Sequence, residues 1–175
     1  MKRAPPAKTI IDVSVTAPAW TKSLRTPAAI ARKAARATVT AAGPKGAVEV
    51  SVALTSDSAV RKLNGLYRGK DKPTNVLSFP AGLSARDLPR GASLPLGDVA
   101  VAYGTCAREA KIEGKSLKSH LSHLMVHGVL HLLGYDHEDD ADAEIMERLE
   151  RRILARLGIK DPYGDPEPSR KRTRR

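Results

Sequence analysis

The chain has 175 residues, a formal net charge of +11, 41% hydrophobic residues and a single cysteine. This length suits one domain with one core, a lone cysteine excludes a disulfide framework, and no apolar run approaches the roughly 18 residues of a membrane span. The first twenty residues, MKRAPPAKTIIDVSVTAPAW, lack the continuous apolar stretch of a signal peptide, so a cytoplasmic protein with no membrane partner is expected.

The basicity is unevenly placed. Ser169 to Arg175 (SRKRTRR) carries five positive charges and no negative one. Subtracting these five and the three of Lys2, Arg3 and Lys8 from +11 leaves +3 for the body of the chain. Residues 1–8 therefore read as a flexible basic N-terminus, 9–159 as a single domain, and 160–175 as a Pro-rich linker running into a disordered basic tail. Such a tail is a solvated end and can also serve as a counterion-releasing arm for a polyanion. With aromatics at 3%, little is left for stacking bases on exposed rings.

In chain order, Thr9 to Val15 alternates β-branched residues as a strand does. Trp20, after Pro18, is read as a packing anchor for the next element. Thr26-Pro27 followed by AAIARKAARATVTAA predicts an Ala-rich helix with Pro in its first turn, ending at Gly43-Pro44, and Arg25, Arg32, Lys33 and Arg36 give it a wet, positive face. Ala47 to Leu54 alternates as a second strand, and Ser56 or Asp57 can cap a helix running to about Leu63. A Gly- and Lys-rich loop then leads to a short strand, Val76 to Phe79, ended by Pro80. Ser84 to Pro95 reads as a turn-rich insertion, Leu96 to Ala102 as a fourth strand, and Gly104 to Ile112 as a short helix that buries Cys106. Asp98, after a glycine, is read as a structural carboxylate. Past Gly114, Ser116 or Ser119 begins an apolar helix. A last helix follows an acidic run, with Ile145, Met146, Leu149, Ile153, Leu154 and Leu157 on its packed face and Arg148, Arg151, Arg152 and Arg156 opposite.

All five histidines, His120, His123, His127, His131 and His137, fall in or beside the apolar helix. His127 and His131 are four residues apart, so their imidazoles share one helix face. Gly134 stands where a helix end needs positive φ, and His137 follows close enough to bring a third nitrogen. His-x3-His-x5-His offers three nitrogens and leaves a fourth position open, which suits a catalytic zinc better than a closed structural one. Zinc in such a site makes a hydroxide available near neutral pH, so a metal-activated hydrolase is expected. An HxxxH pair alone is commonly coincidence, and His123 with His127 is an equivalent pair; only the third histidine beyond the glycine favours the C-terminal set. His120 and His123 are read as packing or supporting groups. The stretch resembles the HExxH signature of zinc peptidases, but Gly128 occupies the place of their general-base glutamate.

From His127 to His137 the chain reads HGVLHLLGYDH, which resembles HGxLHLxGYDH, the signature of the YbeY family of ribosomal RNA maturation endoribonucleases. Leu63 to Pro80 (LNGLYRGKDKPTNVLSFP) resembles the LNxxYRxxDxPTxVLSFP block of the same family, and LGDV at Leu96 resembles its LGDI block. The resemblance implies an active-site arginine at Arg68, and a guanidinium can contact a phosphate with two nitrogens and neutralise charge gained in the transition state. Asn75 stands where many members carry Asp, and it is given no role beyond shaping the loop.

The fold class expected is α+β: a small mixed four-stranded sheet with packed helices and a zincin-like metal helix beneath it, His137 lying on the following loop. The resemblance implies a metal-dependent, single-strand-specific endoribonuclease acting in maturation of small-subunit ribosomal RNA and in ribosome quality control. One Zn2+ per chain would be held by His127, His131 and His137, with Arg68 and His127 catalytic. The implied partners are single-stranded ribosomal RNA, the immature small ribosomal subunit, a small-subunit ribosomal protein and a ribosome-assembly GTPase. The rival readings are a non-catalytic RNA-binding assembly factor with a structural zinc, and a metallopeptidase, which Gly128 and the basic surface disfavour.

Overall fold

The structure is a computed structural model that describes residues 8–164. The expectations for the N-terminal residues 1–7 and for the basic tail lie outside the described residues. The elements are β1 (Ile10–Val15), α1 (Pro18–Ser23), α2 (Pro27–Ala42), β2 (Val48–Thr55), α3 (Asp57–Arg68), β3 (Val76–Pro80), β4 (Leu94–Ala102), α4 (Tyr103–Ile112), α5 (Leu117–Leu132) and α6 (Asp140–Arg156), with one 3-10 turn at Ala85–Asp87.

The four strands form one mixed sheet in the order β1-β2-β4-β3. β1, β2 and β4 run parallel, and β3 closes one edge antiparallel to β4. The two-residue period sorts the faces. Val13, Val52, Val99 and Ser78 lie in register across one row, and Asp12, Ser51, Asp98 and Phe79 across the next. The first row faces the core under α2 and α5; the second faces the opposite side, where α3 covers only the β4 and β3 end.

α5 is apolar nearly all round, because it is wedged between the sheet and the helices α2, α4 and α6. Ala31, Ala34 and Ala35 of α2 are buried, and their small side chains let α2 approach it closely. Leu121, Met125, Val126, Val129 and Leu130 are fully buried, and truncating one such leucine to alanine costs about 2–5 kcal/mol. Gly128 marks the closest approach: a Cβ there would lie 3.0 Å from Val99 Cγ1 and 3.2 Å from Ser78 Oγ. Ser78 Oγ also donates to the Gly128 carbonyl at 2.8 Å, tying the helix to the edge strand.

Four local features differ from the sequence reading. α3 continues past Leu63 to Arg68, where Gly69 at φ 64° ends it. Trp20 sits inside a helix of its own, α1, started by Pro18 and anchored by its indole N–H donating to the Thr55 carbonyl at 3.1 Å. β4 begins at Leu94 rather than Leu96, because the Leu94 N–H reaches the Ala47 carbonyl at 2.9 Å and draws the end of the insertion into the sheet. Beyond α6, residues 160–164 fold back onto the body, with Lys115 Nζ donating to the Pro162 carbonyl at 3.1 Å. Among the described residues no helix is long and apolar enough to cross a membrane.

Candidate metal centre

Ser116 caps α5 by accepting from the Ser119 N–H at 3.0 Å, which sets the phase of the histidine stripe. At the other end Leu133 closes the helix and Gly134, at φ 91°, reverses the chain. The turn carries His137 back towards His127 and His131, and the Asp136 carboxylate stabilises it by accepting from the His137 N–H at 2.7 Å. Asp136 thus acts as a turn residue.

The three imidazoles converge. One ligand atom from each of His127, His131 and His137 lies within 4.8 Å of the other two. The Nε2 atoms of His127 and His131 are 3.1 Å apart. Tetrahedral coordination at a zinc–nitrogen distance of about 2.0–2.1 Å places ligand nitrogens roughly 3.3 Å apart, so this pair needs almost no adjustment to share an ion. Burial lowers the pKa of His131, and the neighbouring His127 and His137 lower it further, so its nitrogen keeps a free lone pair at neutral pH. These residues form a group able to hold a metal ion.

A buried carboxylate stands behind the group. Glu150 of α6 is fully buried, and its Oε1 lies 2.6 Å from His127 Nδ1. A carboxylate only accepts, so Nδ1 carries the proton and Nε2 presents its lone pair towards His131 and His137. Glu150 Oε2 takes a longer contact from His123 Nε2, 3.4 Å, and a hydrogen bond from the Tyr163 hydroxyl. Burial alone pushes the Glu150 pKa up, but hydrogen bonds from His123, His127 and Tyr163 outweigh it and bring it down to about 2. Burial and the Glu150 charge push the Tyr163 phenol up, so it remains a donor.

The other two histidines turn elsewhere. His120, 3% exposed, places Nε2 2.7 Å from Glu109 Oε2, and the same carboxylate accepts from the Asn75 amide at 3.0 Å. Asn75 in turn caps the start of β3 by accepting from the Val76 N–H at 2.7 Å. The loop before it is held by Asn64, whose amide donates to the Lys72 carbonyl at 2.8 Å. Arg68 ends α3, and its Nη2 donates to the Ser78 carbonyl at 3.3 Å. Arg68, Asn75 and Ser78 thereby join the three histidines around one cavity of about 550 Å³.

This arrangement brings together Arg68, His127, His131 and His137, the four residues singled out in the sequence, and separates them from His120 and His123. A family model described as Endoribonuclease YbeY matches residues 17–158. The chain belongs to the YbeY endoribonuclease family. It is 53% identical over 160 residues to the Endoribonuclease YbeY of Paramagnetospirillum magneticum, covering 89% of this chain and 96% of that one. With its counterpart in Rhodopseudomonas palustris it shares 47% identity over 167 residues, 95% of each. A Thermotoga maritima protein solved in solution shares the fold, with a TM-score of 0.51 at 24% identity over 93% of this chain and 100% of that one.

For a YbeY-family site, the sequence reading omitted Glu150, Tyr163 and Glu109. Glu150 had a signal: it stands four residues after Met146 and four before Leu154, inside the packed stripe of α6, where a carboxylate requires partners. Tyr163 had none, because it lies in a Pro-containing segment with no helical or strand period. The peptidase expectation meets a physical obstacle as well as a missing base: a glutamate at position 128 would drive its side chain into Val99, Ser78 and Val76.

Proposed function

We propose that this protein is a zinc-dependent, single-strand-specific endoribonuclease that acts in maturation of small-subunit ribosomal RNA and in ribosome quality control, in the cytoplasm. The observation that carries the reading is one cavity lined by both three convergent imidazoles and a guanidinium. His127, His131 and His137 would hold one Zn2+, leaving a coordination position towards the cavity. The ion, when bound, supplies Lewis acidity and lowers the pKa of water to roughly 7.

The chain's own residues do the rest. Glu150 fixes the tautomer and tilt of His127. Arg68, steadied by the Ser78 carbonyl, meets a phosphate entering the cavity and offsets the negative charge that builds on it during hydrolysis. Asn75 and Glu109 hold the wall that faces it. Immature small subunits, a small-subunit ribosomal protein and a ribosome-assembly GTPase are the partners proposed with this role; the endoribonuclease family supports RNA as the substrate.

The test is cleavage of a purified single-stranded ribosomal RNA fragment by wild type, Arg68→Glu and His131→Ala, with bound metal quantified in each. Cleavage by wild type alone, with Arg68→Glu folded and still metallated, is expected. Equal cleavage by all three would assign the activity to a contaminant and leave an RNA-binding assembly factor.

A further inference from the structure

The composition leaves this chain few aromatic rings, and one of them is spent in an exposed place beside Arg68. The packed stripe of α3 runs through Val60 and Leu63 to Tyr67, each about one turn further along. Val60 is sealed against Leu77, Ala100 and Ala102, with Leu63 and Phe79 at the border of that cluster. Tyr67 continues the stripe past the end of the cover. Its ring leans on Phe79 at 5.1 Å between centroids, tilted by 59°, yet the residue is 69% exposed. Packing on Phe79 therefore uses only a small part of the ring, and the remainder faces solvent.

The side of the sheet matters. Arg68 and the histidines lie around the 550 Å³ cavity on one side of the edge strand β3. Tyr67 and Phe79 border a second hollow of about 650 Å³ on the other side, floored by Asp12, Ser51 and Asp98 of the sheet row described above. Ser78 and Pro80 border both, so β3 is the rim between them. The two hollows differ in what they offer a phosphate: the first sets the Arg68 guanidinium, and the imidazoles that would hold a metal dication, against the carboxylates of Asp136 and Glu138, whereas the second has the carboxylates of Asp12 and Asp98 and no cation among the described residues of its lining. A chain of alternating phosphates and flat rings that crosses this rim is sorted by those charges, its phosphate on the Arg68 side and its ring on the Tyr67 side. The occupant that suits both cavities at once is one strand of RNA.

We infer that Tyr67 is a base-stacking subsite: a nucleobase next to the cleaved phosphodiester is swung over β3 and laid on the exposed face of the Tyr67 ring. The inference rests on the endoribonuclease reading of the metal cavity. It also gives that reading a physical source of single-strand preference, because a base held in a duplex cannot leave its stack to cross the rim without unpairing. No bond is made or broken at Tyr67, so it is a substrate-binding residue whose loss acts on KM.

The test is steady-state cleavage of single-stranded RNA oligonucleotides by zinc-loaded wild type, Tyr67→Ala and Tyr67→Phe. Each substrate is also made with an abasic sugar stepped through the positions flanking the cleaved bond. Tyr67 is largely exposed, so both variants should fold as wild type does. Stacking on an aromatic ring predicts an about tenfold rise in KM for Tyr67→Ala with kcat within about twofold, and wild-type values for Tyr67→Phe. One abasic position should cost wild type the same about tenfold and cost Tyr67→Ala nothing further. Wild type that cuts RNA while Tyr67→Ala cuts with an unchanged KM, or responds to every abasic position as wild type does, overturns the subsite and leaves the metal cavity standing. Tyr67→Phe as poor as Tyr67→Ala also overturns it, since the hydroxyl rather than the ring would then be at work. Zinc-loaded wild type that leaves RNA uncut removes the endoribonuclease reading and the subsite with it.

Discussion

The two halves of α5 carry the same side chain on the same stripe and use it differently. In the first half, His120 and His123 aim their Nε2 atoms at the carboxylates of Glu109 and Glu150. In the second half, His127 gives Nδ1 to Glu150 and keeps Nε2 for His131, and both face an open cavity with His137. Spacing is identical between His123 and His127 and between His127 and His131, so spacing alone does not choose the metal pair. Convergence separates them: among the described residues His120 and His123 each keep an Nδ1 without a hydrogen-bond partner, but only His127, His131 and His137 bring ligand nitrogens within 4.8 Å of one another, and Glu150 leaves the Nε2 of His127 free to join them.

Four measurements would break or sharpen that contrast. The largest effect belongs to the open half. His131→Ala should drop bound metal to a small fraction of the wild-type content and cut RNA cleavage by roughly 100-fold or more, while circular dichroism remains that of wild type. Metal analysis and kinetics on the same preparation check it. Next comes the carboxylate that serves both halves. Glu150→Gln keeps the volume but cannot hold the His127 proton as firmly, and zinc affinity by competition with a chelator should fall by about 10–100-fold. Unchanged affinity would show that Glu150 does not hold His127 ready for the metal.

In the closed half the expected signature is reversed. His120→Ala should leave zinc affinity within about twofold but lower unfolding stability by about 1–3 kcal/mol in denaturant titrations, because Glu109 loses a buried partner. The last measurement is on pH. The Glu150 pKa is about 2 in the folded chain against an ordinary 4.5, so the unfolded chain binds its proton first. Its stabilisation of the metal-free protein is complete above about pH 4.5 and is lost as pH falls towards about 2. The gap in melting temperature between wild type and Glu150→Gln should close over that window, and a gap that stays constant would place the carboxylate's contribution in packing alone.

Local signals made the metal group and much of the fold legible. The three convergent histidines follow from helical spacing plus one glycine turn, and the first two strands from two-residue alternation. Strand order is another matter. β4 lies between β2 and β3, so the chain leaves a place in the sheet and fills it after a long insertion, and nothing in either strand's own pattern encodes that pairing. Glu150 was hidden by company, since α6 also carries Glu144 and Glu147 at the surface, and only its position between Met146 and Leu154 separates it from them. The cap at Ser56 signalled a helix but ended it near Leu63, whereas α3 runs on to Arg68 and so carries Tyr67 and Arg68 on a helical turn.

Gly128 fixes more than a distance. A Cβ next to His127 would lie 3.0–3.2 Å from side-chain atoms of Val99, Ser78 and Val76, so any side chain there makes those neighbours in the sheet give way by a few tenths of an ångström. The change that would bring a peptidase base next to the first histidine also presses on Ser78, whose hydroxyl ties the helix to the edge strand and which borders the cavity. Packing and chemistry thus meet at one position: the glycine that lets helix and sheet approach is also what keeps a carboxylate from standing beside the first histidine.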